Sequence, residues 1–294
     1  MDWNKRINAA INSIENNLES KLDINAAAKS ACSSSFHFQR MFNAILGVTP
    51  AEYARRRKLS EAAKELTSEK VKVMEVASKY GFESPNAFTR AFRNTFDINP
   101  CEARASKAKL PVFSRESCRI DIKGNSTMNY KIIKKPAFEI IGKSKLFDFD
   151  KFMKEAPKFW KKYVATKEYE SLYSLNNGRC GKVSQAPLMS VYIPDKNGSR
   201  STFTDVLAIE NDSDSVISGL ESFKIPVATY AEFDCTYNTS AKMNKYIYGE
   251  WFSKTGYERD GNKPDIAAYF PVAFRPLKDM RVRWWVPIIE SYAA

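Results

Sequence analysis

The chain has 294 residues, of which 44% are hydrophobic and 27% are charged. These proportions are ordinary for a globular protein, and the length indicates two or three domains. The net charge of +12 favours nucleic acid or an anionic surface as a partner, although a merely basic globular protein is the alternative. No apolar run approaches the ~18 residues that span a bilayer, and the first residues lack the apolar stretch of a signal peptide. Five cysteines without a C-x-x-C pair indicate neither a disulfide framework nor a zinc site, and they favour a cytoplasmic location.

The first third of the chain is predicted to be a series of helices. Apolar residues at spacings of three and four predict one over 2–20, and Gly47 and Gly81 end two of the others. The predicted helices lie over 2–20, 24–31, 35–46, 51–66, 72–80 and 85–96, with a short last helix from about 100. Residues 1–110 hold 18 Lys and Arg against 12 Asp and Glu. The density of positive charge is therefore highest here, as a DNA-binding domain requires.

A repeat at an offset of fifty residues runs through these helices. In each copy a short helix precedes a serine, and a second helix with Phe and Arg on different faces follows it. The repeated positions are Ala27, Ser34, Phe38, Arg40, Phe42, Val48 and Pro50, which recur as Ala77, Ser84, Phe88, Arg90, Phe92, Ile98 and Pro100. This is the outline of a helix-turn-helix, which places its second helix in the major groove of DNA. Two copies predict contacts in two grooves ~34 Å apart on one DNA face, and hence an asymmetric site that a monomer binds.

The outward faces of the two second helices carry the candidate DNA contacts. Gln39 suits adenine and the two repeated arginines suit guanine, whereas Arg93 suits a phosphate. His37 is the only histidine of the chain, so it has no partner for a metal site or a catalytic pair. The predicted contacts are Ser35, Phe36, His37, Gln39, Arg40, Pro85, Asn86, Thr89, Arg90 and Arg93. For either helix taken alone, a solvated polar face is the alternative.

The periodicity breaks down over residues 106–126, and beyond them the chain changes character. We place a DNA-binding domain at 1–106, a linker at 107–127 and a second domain at 128–294. Strands are predicted over 129–147, 188–193, 203–210, 224–234 and 281–288, and helices over 150–165 and 239–254. The order strand–helix–strand–strand occurs twice. We therefore predict a multidomain protein, with an all-α N-terminal domain of two helix-turn-helix units and an α+β C-terminal domain of two similar strand–helix–strand–strand halves.

The two-unit layout resembles the AraC/XylS transcription regulators. The likeness covers about residues 4–106 and is carried above all by the stretch from Gly81 to Pro100, while the first unit is similar to the branch that includes Rob, MarA and SoxS. It implies a seven-helix domain in which a linker helix, here 50–66, holds two recognition helices on one face of double-stranded DNA. It also implies RNA polymerase as a partner. Asp97 stands where the family commonly has a glycine, and Ala103 where it has an aromatic residue.

Residues 128–290 are similar to the GyrI-like effector-binding domains, through the stretches 226–233, 246–252 and 282–288. The likeness implies a concave groove for small hydrophobic, often cationic, molecules, because cations are attracted to aromatic faces. The candidate effector contacts are Phe147, Trp160, Tyr163, Tyr192, Glu232, Trp251 and Tyr269. Ordinary core packing is the alternative for each aromatic residue. The family usually has a buried Glu before the tyrosine that matches Tyr269, and Ala268 stands there, which leaves Glu232 or Glu250 to supply the charge.

We therefore predict a sequence-specific transcription regulator, an activator, that responds to a small-molecule effector and has no cofactor, metal or catalytic residue. The alternative is a GyrI-like binding or hydrolase domain with DNA binding secondary. A hydrolase needs a general acid and base in the groove, and Ala268 and the single histidine argue against one. A ligand-sequestering module with vestigial DNA binding is a third possibility, which Arg40 and Arg90 oppose.

Overall fold

The computed structural model describes residues 3–68, 71–115, 129–195, 202–212, 217–271 and 277–290. The chain divides into two compact units, one of residues 1–33 and 46–119 and the other of residues 34–45 and 120–294. The helix Ser35–Leu46 therefore belongs, through residue 45, to the second unit. Within the described ranges, no helix has the length and apolar character that a membrane span needs.

In the described part of the N-terminal third there are seven helices, which confirms the predicted all-α part. They are α1 (Trp3–Glu15), α2 (Ile24–Ser30), α3 (Ser35–Leu46), α4 (Pro50–Ser68), α5 (Val73–Lys79), α6 (Pro85–Phe96) and α7 (Pro100–Ser106). Gly47 and Gly81 follow helices in left-handed conformations, with φ of 74° and 70°, which glycine adopts without steric cost. Asp97, where the family commonly has glycine, adopts the same region with φ of 57°, and an aspartate tolerates it better than most residues.

The first unit has its core along α4. Leu59, Ala62 and Leu66 pack against the buried phenylalanines of α6. Near the middle of α4, the Arg57 side chain lies 2.7 Å from Glu15 of α1 and 2.8 Å from Glu61 of α4 itself. These ion pairs and the apolar cluster anchor α4 to α1 and α6, which the sequence places on either side of it.

The segment after α7, predicted as a linker, begins by packing against α4. The backbone N–H of Phe113 donates to the Ser60 hydroxyl at 2.8 Å, and its carbonyl accepts from Arg57 at 2.6 Å. The ring of Phe113 lies edge-on to Tyr53 at 5.8 Å. These contacts make residue 113 part of the first unit, while 116–127 of the predicted linker lie outside the described residues, as does Cys118.

The second unit contains an antiparallel sheet in the order β1-β6-β9-β8-β3-β4-β2-β5, with β7 paired to β9. Its strands are β1 (Tyr130–Lys135), β2 (Phe138–Asp148), β3 (Leu188–Pro194), β4 (Thr202–Glu210), β5 (Glu221–Ile225), β6 (Ala228–Thr236), β7 (Tyr257–Arg259), β8 (Asp265–Phe270) and β9 (Arg281–Glu290). Its other helices are α8 (Phe149–Tyr163), α9 (Lys167–Asn176), α10 (Ser240–Tyr246) and α11 (Phe252–Lys254), with a π-helical turn at Ile247–Trp251 between the last two. Each half has strands, a helical segment and further strands, so the predicted α+β class is confirmed.

The two faces of the sheet carry different residues. One face holds an apolar cluster that includes Phe138 and Ile140 of β2 and Tyr230 of β6. Because these strands lie far apart in the strand order, the sheet must curve around this cluster. The helices cover the other face, where Trp160 of α8 reaches Asp205 of β4. This helix-covered face holds the side chains described next.

Candidate functional site

Helix α6, the second helix of the second helix-turn-helix unit, presents its outward side chains to solvent. Its first turn is fixed by Pro85 and by Ser84, whose Oγ accepts the backbone N–H of Ala87 at 3.1 Å. Among the described residues, no side chain forms an ion pair with Arg90 or with any other predicted contact of this helix. Thr89 is half-buried, and the other predicted contacts are exposed: Pro85, Asn86, Arg90 and Arg93.

Helix α3, the corresponding helix of the first unit of the repeat, is covered on the face that the sequence assigned to DNA. Phe36, His37 and Gln39 are buried, Ser35 is half-buried, and the Arg40 side chain is 10% exposed. The covering residues belong to the sheet and helices of the second unit. Phe36 lies edge-on to Phe203 of β4 at 5.5 Å, and the ring of His37 contacts Tyr248 and Phe252 at 5.8 and 5.2 Å.

Arg40 lies in a surrounding of aromatic rings and one acid. Its Nη1 donates to Oδ2 of Asp265 at 2.6 Å. Its guanidinium carbon lies 4.5 Å from the ring centre of Tyr248, 5.6 Å from Tyr192 and 5.8 Å from Trp284. These distances are within the range of cation–π attraction. We call Tyr192, Tyr248, Asp265 and Trp284 the cation site.

The sheet register builds the cation site. Tyr192 of β3 lies opposite Asp265 of β8, and directly opposite residues of antiparallel strands share a face. Two positions further along β8, on the same face, Ala267 lies opposite Trp284 of β9. Trp284 stacks on Tyr192 with ring centres 5.7 Å apart and an interplanar angle of 15°.

Asp265 is fully buried and divides its two oxygens between two sets of partners. Oδ1 accepts from Nε of Arg259 at 3.1 Å, and that guanidinium is held in turn by the carbonyls of Asp260 and Lys263 at 3.0 and 2.7 Å. Oδ2 accepts from Arg40 and from the Tyr248 hydroxyl. Burial of a carboxylate is costly without such partners, and here one oxygen faces Arg259 and the other faces α3.

Five predicted effector contacts lie around a second buried acid, Asp205. Trp160 Nε1 donates to Asp205 Oδ2 at 2.8 Å, and Tyr192 lies opposite Asp205 across the sheet register. Burial raises the pKa of Tyr269 to about 12, and the nearby Asp205 adds to the shift. Ring contacts join the remaining two to Trp160, namely Tyr163 at 5.8 Å and Phe147 at 6.4 Å. Burial raises the pKa of Asp205 to about 7, although hydrogen bonds from Trp160 and Ser190 oppose the shift.

The other predicted effector residues lie elsewhere. Trp251 packs in a separate cluster against Phe233, at 5.2 Å, and stacks on Tyr257 at 5.7 Å. Glu232 accepts from Trp285 Nε1 at 2.9 Å; because Trp285 belongs to the apolar cluster on the opposite face, Glu232 does not lie at the cation site. Glu250 pairs with Lys254 at 3.0 Å.

The sequence analysis missed the two acids that the structure places among the aromatic residues. Ala268, where the family's Glu was expected, lies in the apolar cluster with Met189 and Val206, on the sheet face opposite the cation site. Side chains alternate between faces along a strand, and Asp265 is on the face of Tyr269. The available signal was an aspartate that opens the apolar run Asp265–Phe270, a strand that the sequence analysis did not predict.

Two family models match the chain. Residues 27–106 match a model described as a helix-turn-helix domain. Residues 131–288, just over half of the chain, match a model described as integron-associated effector binding protein.

Curated relatives match the helical part. The Transposon Tn10 TetD protein of Escherichia coli is 40% identical over 94 residues, which are 32% of this chain and 68% of that protein. The HTH-type transcriptional activator AarP of Providencia stuartii is 38% identical over 93 residues, or 32% of this chain and 69% of that protein. Among solved structures, SAV2435 bound to tetraphenylphosphonium aligns with 55% of this chain and 94% of its own, at 12% identity and a TM-score of 0.45.

Proposed function

The chain belongs to the family of integron-associated effector-binding proteins through residues 131–288 and carries an AraC-type helix-turn-helix domain similar to that of MarA, and we propose that it is a transcription activator controlled by a small hydrophobic cation. In this proposal α3 and α6 read DNA, and the cation site of the second unit binds the effector. The relative AarP is described as a transcriptional activator, which supports the direction of regulation.

The proposed DNA contacts are the outward residues of the two helices. Exposed Arg90 and Asn86 suit guanine and adenine edges, and Arg93 suits a phosphate. The contacts proposed on α3 are Ser35, Phe36, His37, Gln39 and Arg40, and those on α6 are Pro85, Asn86, Thr89, Arg90 and Arg93. The positive charge of the chain supplies the attraction that does not depend on sequence.

Selection of duplexes from a random pool by the full chain, followed by binding measurements on the enriched sites, tests this. We expect Arg90→Ala to weaken binding about 5- to 100-fold and to relax base preference in one half of the site, as loss of a bidentate contact does. Lys64→Ala is the control, because it also removes an exposed positive charge but lies on α4 beside Glu61. No enrichment of any sequence, or equal effects of both substitutions, would contradict the proposal.

The observation that carries the effector class is the guanidinium of Arg40 among Tyr192, Tyr248 and Trp284, with a fully buried acid at 2.6 Å. A site that accommodates one delocalised cation on aromatic faces has the chemistry to accommodate another. The buried acid favours a positive charge, and the rings favour an apolar body around it. We therefore propose a hydrophobic organic cation rather than a neutral or anionic effector.

Calorimetric titration of the full chain with tetraphenylphosphonium tests the effector class. We expect binding that Asp265→Asn weakens at least about tenfold, since a buried charge pair contributes on the order of 1.4 kcal/mol or more. Tyr192→Leu, which keeps the Asp265 carboxylate, should weaken cation binding too. Asp234→Asn should not, because it alters an acid of β6 that is paired with Arg281 and Arg283 of β9. Circular dichroism checks that each variant is folded. Equal affinity for a neutral analogue of the same shape would contradict a cationic effector.

We propose that the second unit binds its ligand without converting it. Both oxygens of the Asp265 carboxylate already accept hydrogen bonds, from two guanidinium groups and a phenol, so neither is placed to take a proton from a ligand as a general base must. Transcription assays with purified RNA polymerase, with and without the cation, test activation directly. We expect the cation to raise transcript yield and to be recovered unchanged by mass spectrometry.

A further inference from the structure

The contacts of α3 bear on how the effector controls DNA binding. The side chains of α3 proposed to read bases are the ones that the second unit buries. Arg40 cannot contact a guanine and Asp265 at once, and Phe36 cannot lie in a major groove while it packs on Phe203. Binding of α3 to DNA and binding of α3 to the cation site are therefore mutually exclusive.

The same reasoning applies to the effector. A cation stacked on Tyr192 and Tyr248 beside Asp265 would occupy the volume that the Arg40 guanidinium occupies. We propose that Arg40 is an internal ligand of the cation site, and that a hydrophobic cation competes with it and releases α3 to bind DNA. This inference rests on the proposed function, because it requires both the cationic effector and the DNA contacts of α3.

The partners of Asp265 make such an exchange feasible. When Arg40 leaves, Oδ1 keeps the bond from Arg259 and Oδ2 keeps the bond from the Tyr248 hydroxyl. Removal of the only partner of a buried charge is strongly destabilising. Asp265, however, keeps its positively charged partner Arg259 and loses only Arg40, which an external cation can replace. The site can therefore exist with Arg40, with an external cation, or briefly with neither.

Glycines of the second unit lie close to both ends of α3, and at Gly261 the approach is tighter than a side chain would ordinarily allow. A Cβ at Gly261 would lie 3.1 Å from the hydroxyl of Ser34, and a Cβ at Gly249 would lie 3.5 Å from the carbonyl oxygen of Ala44. Ser34 precedes the first residue of α3, and Ala44 lies near its last turn. The two ends of the helix thus both contact residues without side chains, and the arginine lies between them.

Calorimetric titration of the full chain with tetraphenylphosphonium separates competition from simple binding. We expect Arg40→Ala to raise the affinity for the cation at least about tenfold. In wild type the site is open only for the fraction of time that Arg40 is away from it, and the apparent affinity for an external ligand is reduced to that fraction of the intrinsic affinity. Arg90→Ala is the matched control. It removes the repeated arginine from the exposed helix and should weaken DNA binding but leave the affinity for the cation unchanged.

The outcomes distinguish the two proposals. An affinity that is measurable and equal in wild type and Arg40→Ala, or weaker in the variant, would overturn the internal ligand while leaving the effector class intact. Absence of binding in wild type and in Arg40→Ala would overturn both. Tighter binding of the cation by Arg40→Ala, with no change in Arg90→Ala, supports competition between Arg40 and the cation.

A reversible covalent lock tests the release of α3. The Cβ of Ser34 lies 3.2 Å from a Cβ built on Gly261, slightly closer than the ~3.5 to 4.5 Å of natural disulfides. Ser34→Cys with Gly261→Cys can therefore join the start of α3 to the segment that follows β7 after a small adjustment. A Cys32→Ser background removes the neighbouring thiol. DNA affinity is then measured in the oxidised and reduced states, with and without the cation.

We expect the oxidised protein to bind its selected DNA at least about tenfold more weakly than the reduced protein, as loss of the base contacts of one helix requires. The cation should strengthen DNA binding only after reduction. The Ser34→Cys, Cys32→Ser protein without the second cysteine is the control and should behave identically in both states. Equal DNA affinity of the oxidised and reduced lock, with the disulfide verified by mass spectrometry, would overturn the inference.

Discussion

Helices α3 and α6 occupy equivalent places in a repeated sequence but lie in opposite environments. Both follow a capping serine, both bury phenylalanines at the repeated positions, and both carry an arginine two residues after the first of these. The arginine of α6 is exposed, and that of α3 is bound to a buried acid. The repeat therefore preserves the scaffold of a DNA-reading helix without fixing what that helix contacts.

The side chains that differ between the copies account for the difference. Before the shared phenylalanine, α3 has Phe36 and His37 where α6 has Asn86 and Ala87. Phe36 and His37 pack on the aromatic residues Phe203, Tyr248 and Phe252 of the second unit. An asparagine and an alanine would bury much less apolar area there, at about 25 cal/mol per Å². The outward surface of α3 is therefore suited to a second partner besides DNA.

If the repeat preserves the scaffold, equivalent core substitutions should have equivalent effects. Phe42 and Phe92 are fully buried and each contacts the phenylalanine one turn earlier, at 5.4 and 5.5 Å. We expect Phe42→Ala and Phe92→Ala each to lower the free energy of unfolding by about 3 to 5 kcal/mol, from lost burial and cavity formation. Urea unfolding followed by circular dichroism measures this, with exposed Asn94→Ala as the control. A difference above about 2 kcal/mol between the two would show that the copies are not equivalent scaffolds.

The sheet face that holds the cation site also holds Asp205, and this buried acid should make the stability of the protein depend on pH. Burial raises the pKa of Asp205 to about 7 in the folded protein, whereas in the unfolded chain it is about 3.9. The folded state thus binds the proton more tightly, and stability is lost as the pH rises between about 4 and 7. Asp205→Asn should match wild type at pH 4 and exceed it by roughly 2 to 4 kcal/mol at pH 8. Thermal melts across this range test it, and parallel curves for the two proteins would argue against a buried, titrating acid.

The helical third could be predicted almost completely from the sequence, because its signals are local. Capping serines, prolines at helix starts and glycines after helix ends lie within a few residues of what they determine. The predicted helix over 2–20 ends earlier, at Glu15. In the second unit, one predicted strand is in fact two, β1 and β2, separated at Pro136, and a second pair is separated at Pro226. Each proline lacks the N–H that a continuing strand pairing requires.

The cation site could not be predicted, because it depends on contacts between residues far apart in sequence. Asp265 pairs with Arg40, which lies 225 positions earlier in the sequence. Nothing in the residues next to Asp265, a carboxylate at the start of a short apolar run, indicates that it forms an ion pair. The aromatic residues were easier to identify by family resemblance, yet only the sheet register places Tyr192 next to both acids. The placement of Arg40 in this site is a property of the folded chain and not of the repeat.

The repeated arginines should differ in what they contribute to stability. Arg40 makes a charged hydrogen bond to a fully buried acid, whereas Arg90 is exposed. We expect Arg40→Ala to lower the free energy of unfolding of the full chain by about 1.5 to 3 kcal/mol and Arg90→Ala to change it by less than about 0.5 kcal/mol. Urea unfolding of both variants measures this contrast. Equal small effects would mean that Arg40 spends little time at Asp265 in solution.

The smallest expected effect concerns the two capping serines, where the helices should be alike again. Ser84 Oγ accepts the N–H of Ala87 at 3.1 Å, and Ser34 Oγ accepts the N–H of His37 at 3.3 Å. Replacement of either serine by alanine removes the acceptor for an N–H that the helix cannot satisfy, which costs about 1 kcal/mol. Ser34→Ala should also leave the affinity for the cation unchanged, because the cap lies at the helix end and the exchange takes place at Arg40. A change in cation affinity for Ser34→Ala as large as that for Arg40→Ala would mean that the whole helix end, and not the guanidinium, competes for the site.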